Sequence, residues 1–132
     1  MIVIDTSAIA AIVFKEPERK CFLDAIESSD RTLIASPTAL EAKLVMHGRK
    51  GERGVVLLNE LISNPKFEWI APDREIIDVA HAAFVTYGKR SGHPAGLNFG
   101  DLFSYALAKV RGLPLLYKGE DFAKTDIESA LQ

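Results

Sequence analysis

Apolar and polar positions alternate along this chain in blocks that change period. Met1 to Ile4 form a short apolar run, which stops at Asp5, Thr6 and Ser7 before apolar residues resume from Ala8 to Phe14. The first run predicts a buried strand over Ile2–Ile4, and the second a helix that Thr6 or Ser7 could cap. Pro17 stands near the start of a second helical pattern, in which Phe22, Leu23 and Ile26 have helical spacing. TLIAS predicts a strand at 32–36. Pro37 then sits where a first helical turn tolerates proline, opening a helix over PTALEAKLVMHGRK. A glycine break at Gly51 separates that helix from another over GERGVVLLNELIS.

FEWIA, at 67–71, alternates like a strand. DREIIDVAHAAFVTYGKR predicts a long amphipathic helix capped by Asp73, with Ile76, Ile77, Ala80, Ala83, Phe84 and Tyr87 on one side. KRSGHPAGLN, with Gly92, Pro94 and Gly96, is the clearest loop. FGDLFSYALAKVRG is helical and ends at Gly112. PLLY, at 114–117, predicts a last core strand, and the tail FAKTDIESALQ a further strand or helical turn. Strands alternating with helices predict an α/β fold with a mostly parallel sheet. No linker or repeat divides residues 1–132, so one domain is expected.

Composition narrows the class. Of 132 residues, 48% are hydrophobic, enough for a core without staples. The single cysteine, Cys21, rules out an internal disulfide and a thiolate zinc cluster, and its helical pattern predicts burial. No signal-like segment and no membrane-length apolar run is present, so a cytoplasmic protein is expected. The formal net charge of −2 argues against broad electrostatic capture of nucleic acid, although a local basic rim around an acidic site remains compatible with it.

The chemistry lies in four acids. Ligands of open α/β sheets bind beyond the carboxyl ends of strands. Asp5 directly follows the first strand there, and Asp121 follows PLLY by four residues. Glu41 interrupts the apolar segment TALEAKLVM, where an acid is costly unless paired or metal-bound. Asp101 stands at the start of a helix. Each has a plainer reading alone: a surface cap for Asp5 and Asp121, a sideways pair with a lysine or arginine for Glu41, and a first-turn acid stabilised by the helix dipole for Asp101. Together they predict an oxygen-rich pocket whose mutual repulsion a hard divalent cation would remove. Oxygen-only ligands favour Mg²⁺ or Mn²⁺ over zinc. His47, His81 and His93 form no close metal motif. Such a site suits phosphodiester hydrolysis without a serine or cysteine nucleophile.

The stretches VIDTSAI, the internal Glu41 and LNFGDLFSYALAKVRGLPLLYKGEDFAKTDI together resemble a PIN domain of the VapC toxin type, over essentially the whole chain. The resemblance implies a three-layer PIN-like fold, with helices flanking a central, mostly parallel sheet. It also implies a Mg²⁺-dependent endoribonuclease, with Mn²⁺ able to substitute, that leaves 3′-hydroxyl and 5′-phosphate ends. Asp5, Glu41, Asp101 and Asp121 take the places of the family's metal-holding acids, and Ser7, beside Thr6, takes that of its early hydroxyl. Many relatives carry an acid or asparagine two residues before the last aspartate, where this chain has Gly119 followed by Glu120. The family further implies a homodimer and a small VapB-like antitoxin that blocks the cleft, contact with DNA passing only through that antitoxin.

Two other readings compete. A haloacid-dehalogenase-like phosphatase would want a D-x-D motif where this chain has DTS. A catalytically inactive PIN-like module that binds RNA or protein is the non-enzymatic alternative, and retention of all four acids argues against it. Lys43, Arg49, Lys50, Arg53, Lys89 and Arg90 read as solvated helix ends or phosphate contacts, and Lys118 as a charge to offset substrate. Trp69 reads as core, Phe99 and Phe122 as walls of the pocket, and Leu44 and Val45 as core or partner contacts.

Overall fold

The structure, a computed structural model, describes residues 1–131; Gln132, the end of the expected tail, lies outside the described residues. Four short strands form the sheet; three are buried throughout, as strands covered on both faces must be, and the third in chain order is buried only at its two ends. They are β1 (Ile2–Ile4), β2 (Thr32–Ala35), β3 (Phe67–Ile70) and β4 (Leu115–Leu116). All neighbours pair in parallel, in the order β3-β2-β1-β4. Side chains alternate between the faces. Ile2, Ile4, Ile34 and Leu116 enter one core, while Val3, Leu33, Ala35 and Leu115 enter the other.

Helices cover both faces. On the first side lie α1 (Thr6–Val13), α2 (Arg19–Ser28) and α3 (Ser36–Ile62). On the second lie α4 (Arg74–Tyr87) and α5 (Phe99–Arg111). The result is the three-layer α/β arrangement expected. No helix among the described residues is long and apolar enough to cross a membrane.

The glycine break also holds. Gly51 has φ 62° and ψ −151° inside α3, so two helical segments meet there at a kink. Asp73 caps α4 by accepting from the Ile76 N–H, and Gly112 ends α5 in the left-handed conformation. The tail forms a short 3₁₀ turn, Phe122–Lys124, and then runs beside β4, where Leu115 N–H donates to the Glu128 carbonyl.

Several side chains depart from expectation. The cap of α1 is Asp5, not Thr6 or Ser7. Cys21 is exposed, because α2 buries only Phe22 and Ile26. Trp69 is half exposed on the edge strand β3, where Lys43 lies over its ring. In α4 the buried stripe is Ile76, Ala80 and Ala83; Ile77 and Phe84 face outward.

The topology positions the site. The chain leaves β1 toward β2 and β3, then returns to place β4 on the other side of β1. The carboxyl ends of β1 and β4 therefore flank a switch point, the usual place for a ligand crevice in such sheets. Asp5 N–H donates to the Leu116 carbonyl at 3.0 Å across it.

Candidate active site

Asp5 is the buried centre of the site, only 3% exposed. As the cap of α1 its Oδ2 accepts from the Ser7 N–H at 3.0 Å and from the Ser7 hydroxyl at 2.8 Å. The other oxygen, Oδ1, accepts from Ser104 Oγ at 2.6 Å. Ser7 Oγ in turn accepts from the Lys118 N–H at 3.0 Å, tying the cap to the segment after β4.

Glu41 reaches the same place from α3. Among the described residues it makes no ion pair, and its Oε1 accepts from the Thr6 hydroxyl at 2.6 Å. Burial raises its pKa above the ordinary carboxylate value, the Thr6 bond opposes that, and the charge of Asp5 adds to it. A β-carbon built on Gly100 would stand 2.0 Å from Glu41 Oε2, so the absence of a side chain there is what lets the carboxylate lie against the first turn of α5.

Asp101 sits in that turn. Asn98 and Asp101 form a reciprocal capping box: each side chain accepts from the other's N–H at 2.9 Å. The first-turn acid reading is therefore correct as local structure, and the position is electrostatically loaded as well. Burial is the main cause that lifts the Asp101 carboxyl to about 7; the Asn98 N–H resists, and the charges of Asp5, Glu41 and Asp121 push it further. Asp121 is exposed, opens the 3₁₀ turn, and acts on Asp101 through its charge.

The structure thus brings the four predicted acids and Ser7 to one edge of the sheet. Among the described residues none of the four acids is in an ion pair, and no three Asp, Glu, His or Cys side chains stand as a preformed metal cage. The set nevertheless suits a hard divalent cation by donor chemistry. It offers only carboxylate oxygens, the neighbouring charges help to raise the pKa of Glu41 and of Asp101, and none of the described ion pairs brings a protein cation to them.

Lys118, read from the sequence as a charge to offset substrate, is engaged in ion pairs of its own. Its ammonium lies 3.3 Å from Glu16 and 3.2 Å from Glu18, outside the acid cluster. Phe122 is core, whereas Phe99 is 77% exposed. With Phe103, Pro37, Leu40 and Leu44, Phe99 lines an apolar groove of about 410 Å³ that has Glu41 in its wall.

Sequence reasoning missed Thr38, Asn98, Gly100 and Ser104, and named Thr6 only as a possible cap and as the neighbour of Ser7, not as the hydroxyl that holds Glu41. The Asn98-to-Asp101 spacing is a capping-box signal, and Ser104 is a lone hydroxyl within the apolar stretch LFSYALA. Nothing local marks Gly100, because its requirement comes from another helix.

Residues 2–128 match the family model described as the PIN domain. Ribonuclease VapC30 of Mycobacterium tuberculosis is 45% identical over 125 residues, covering 95% of each chain. Ribonuclease VapC42 of the same organism is 40% identical over 128 residues, covering 97% of this chain and 98% of the relative. Among solved structures, M. tuberculosis VapC20, a Sarcin-Ricin loop cleaving toxin, superposes with a TM-score of 0.78 at 17% identity, covering 96% of each chain. VapBC2 from Rickettsia felis, bound to a DNA fragment from its promoter, superposes with a TM-score of 0.76 at 15% identity, covering 98% of this chain and 96% of that one.

The geometry generates two predictions. Gly100→Ala forces the flexible Glu41 carboxylate aside rather than the backbone, so the fold should survive, with a melting temperature near wild type. Activity should fall at least about 10-fold, since small displacements of a catalytic group cost up to about 10²-fold. Full activity would show that the Glu41 position does not matter. The second concerns pH. Asp101 holds a proton in the folded protein between 3.8, its ordinary value, and about 7, where the unfolded chain has released it. Metal-free protein should therefore lose stability as pH rises through that window. Melts in EDTA should show the loss, and Asp101→Asn should reduce its slope.

Proposed function

The chain belongs to the PIN-domain family, among the VapC ribonucleases that act as toxins of toxin–antitoxin systems, and from that premise we propose that it is a Mg²⁺-dependent endoribonuclease whose site is Asp5, Glu41, Asp101 and Asp121, with Ser7 as an orienting hydroxyl. The observation that carries this reading is the convergence of Glu41, Asp101 and Asp121, none of them in an ion pair among the described residues, beside a buried, doubly gripped Asp5. When bound, Mg²⁺ or Mn²⁺ offsets phosphate charge and lowers the pKa of water. Asp5, Glu41 and Asp101 would hold the principal cation, and Asp121 would complete the site or support a second.

The protein's own groups supply order. Ser7 and Ser104 fix both oxygens of Asp5, so its carboxylate has little freedom to turn. Thr6 orients Glu41. Asp101 Oδ2 is held by the Asn98 N–H, which leaves Oδ1 as the oxygen open to a cation or a proton. In the reaction a water oxygen attacks phosphorus and the bond to the 3′ oxygen breaks. The proton lost by water balances the one gained by the leaving oxygen, giving a 3′-hydroxyl and a 5′-phosphate.

The expected partner is a small VapB-like antitoxin. The groove beside Glu41 suits a segment with apolar side chains for Leu40, Leu44, Phe99 and Phe103, and with an arginine or lysine directed at the acids. That basic group would take the place of the cation electrostatically. A homodimer, and DNA contact made only through the antitoxin, complete the proposed assembly.

Two experiments test the proposal. In the first, purified protein and Asp5→Asn are assayed side by side on intact RNA, with and without EDTA. The variant should fold, bind RNA, and lose on the order of 10²-fold or more in cleavage. Equal cleavage would remove Asp5 from the mechanism, and RNA binding without cleavage by wild type would favour an inactive binding module. A 5′-phosphate supports attack by water, whereas a 2′,3′-cyclic phosphate would mean attack by the RNA's own 2′-hydroxyl. In the second, co-expression with a small VapB-like antitoxin, sought in the gene beside this one, should give a complex that does not cut RNA. A stable complex with unchanged cleavage would count against blockade of the groove.

A further inference from the structure

Behind Asp5 two buried hydroxyls, Ser104 and Thr38, stand in series. Ser104 Oγ is 2.6 Å from Asp5 Oδ1 and 3.3 Å from Thr38 Oγ1. Asp5 is 3% exposed, Thr38 1% and Ser104 0%, so water has no access to replace either contact. The directions follow from counting protons. Ser104 donates to Oδ1 and has only one hydroxyl proton to give. Thr38 must then be the donor to Ser104. The chain runs Thr38 to Ser104 to Asp5, and each donation polarises the next.

Its placement is as informative as its direction. Thr38 lies three residues before Glu41 on α3, and Ser104 lies three residues after Asp101 on α5. Residues three apart on a helix share a face. The hydroxyl contact therefore joins the two helices about one turn away from the acids that each presents. Near the acids the helices approach so closely that Glu41 rests where a side chain on residue 100 would be.

We propose that Ser104, backed by Thr38, is a positioning residue of the acidic site: it holds Asp5 Oδ1 in place and registers α3 against α5, so that Asp5, Glu41 and Asp101 keep a common spacing. The inference rests on the four-acid cation site proposed above. Removing the Ser104 hydroxyl leaves Oδ1 without its buried donor and Thr38 without its acceptor, while Ser7 still grips Oδ2. Asp5 is then free to turn about that remaining grip. Groups that orient metal ligands in this way typically change metal affinity or activity about 10–100-fold when removed.

The test uses calorimetric titration of metal-free protein with Mn²⁺ and Mg²⁺, together with thermal melts in EDTA. Four proteins are compared: wild type, Ser104→Ala, Asp5→Asn, and the double variant. Ser104→Ala should melt within a few degrees of wild type and bind the cation about 10–100-fold more weakly. In the Asp5→Asn background it should add no further loss, because the group it orients has already been changed. Thr38→Val, which keeps the shape and removes the proton, should weaken binding in the same direction, and Thr38→Ser should restore it. If Ser104→Ala binds as wild type while Asp5→Asn does not, Ser104 is only packing and the inference is overturned, with the site intact. Wild-type binding by Asp5→Asn would instead overturn the cation site itself. Should Ser104→Ala melt far below wild type, Thr38→Val carries the test, and unchanged affinity in it would overturn the chain of hydroxyls.

Discussion

Everything at the functional end of this protein depends on burying one carboxylate. Asp5 ends β1, caps α1 and is almost completely withdrawn from solvent. A carboxylate in that position is tolerable only if donors replace its lost hydration. They come from the next turn of its own helix and from α5 on the opposite face of the sheet. The need to satisfy Asp5 thus ties together both helical layers, and its own N–H extends the tie to β4.

The other acids are arranged with local economy. Asp101 stabilises the start of α5 as half of a capping box and, from the same position, is raised by burial and by its neighbours' charges. Glu41 extends into a space left by a glycine and finds a hydroxyl instead of a cation. The protein tolerates this uncompensated negative charge at the edge of its sheet, and a bound cation or a basic partner group would relieve it. Lys118 could have offset the charge, but it is held by Glu16 and Glu18 in the connection between α1 and α2. That pairing ties the connection to the segment after β4 and leaves the acids available.

The surface beside the acids is apolar rather than basic. Leu40, Leu44 and Phe99 are each more than half exposed. The groove they help to form is therefore better suited to apolar side chains than to a phosphate backbone, which favours a protein segment there.

The alternation of apolar runs and helical periods determined the four strands, their flanking helices, the break at Gly51 and the caps at Asp73 and Gly112. It did so because these features depend on residues within a few positions of one another. It also placed Asp5, Asp101 and Asp121 at element ends, since ends follow from element boundaries. Other features were decided only by the tertiary structure. The partner of Ser7 lies 111 residues away, that of Asp5 99 residues away and that of Glu41 35 residues away. No local pattern carries such distances. The same reason explains why Cys21, Trp69, Ile77 and Phe84 point outward and why Glu41 needs a glycine at residue 100 to lie where it does: periodicity sets which residues share a face, but only packing decides what that face meets.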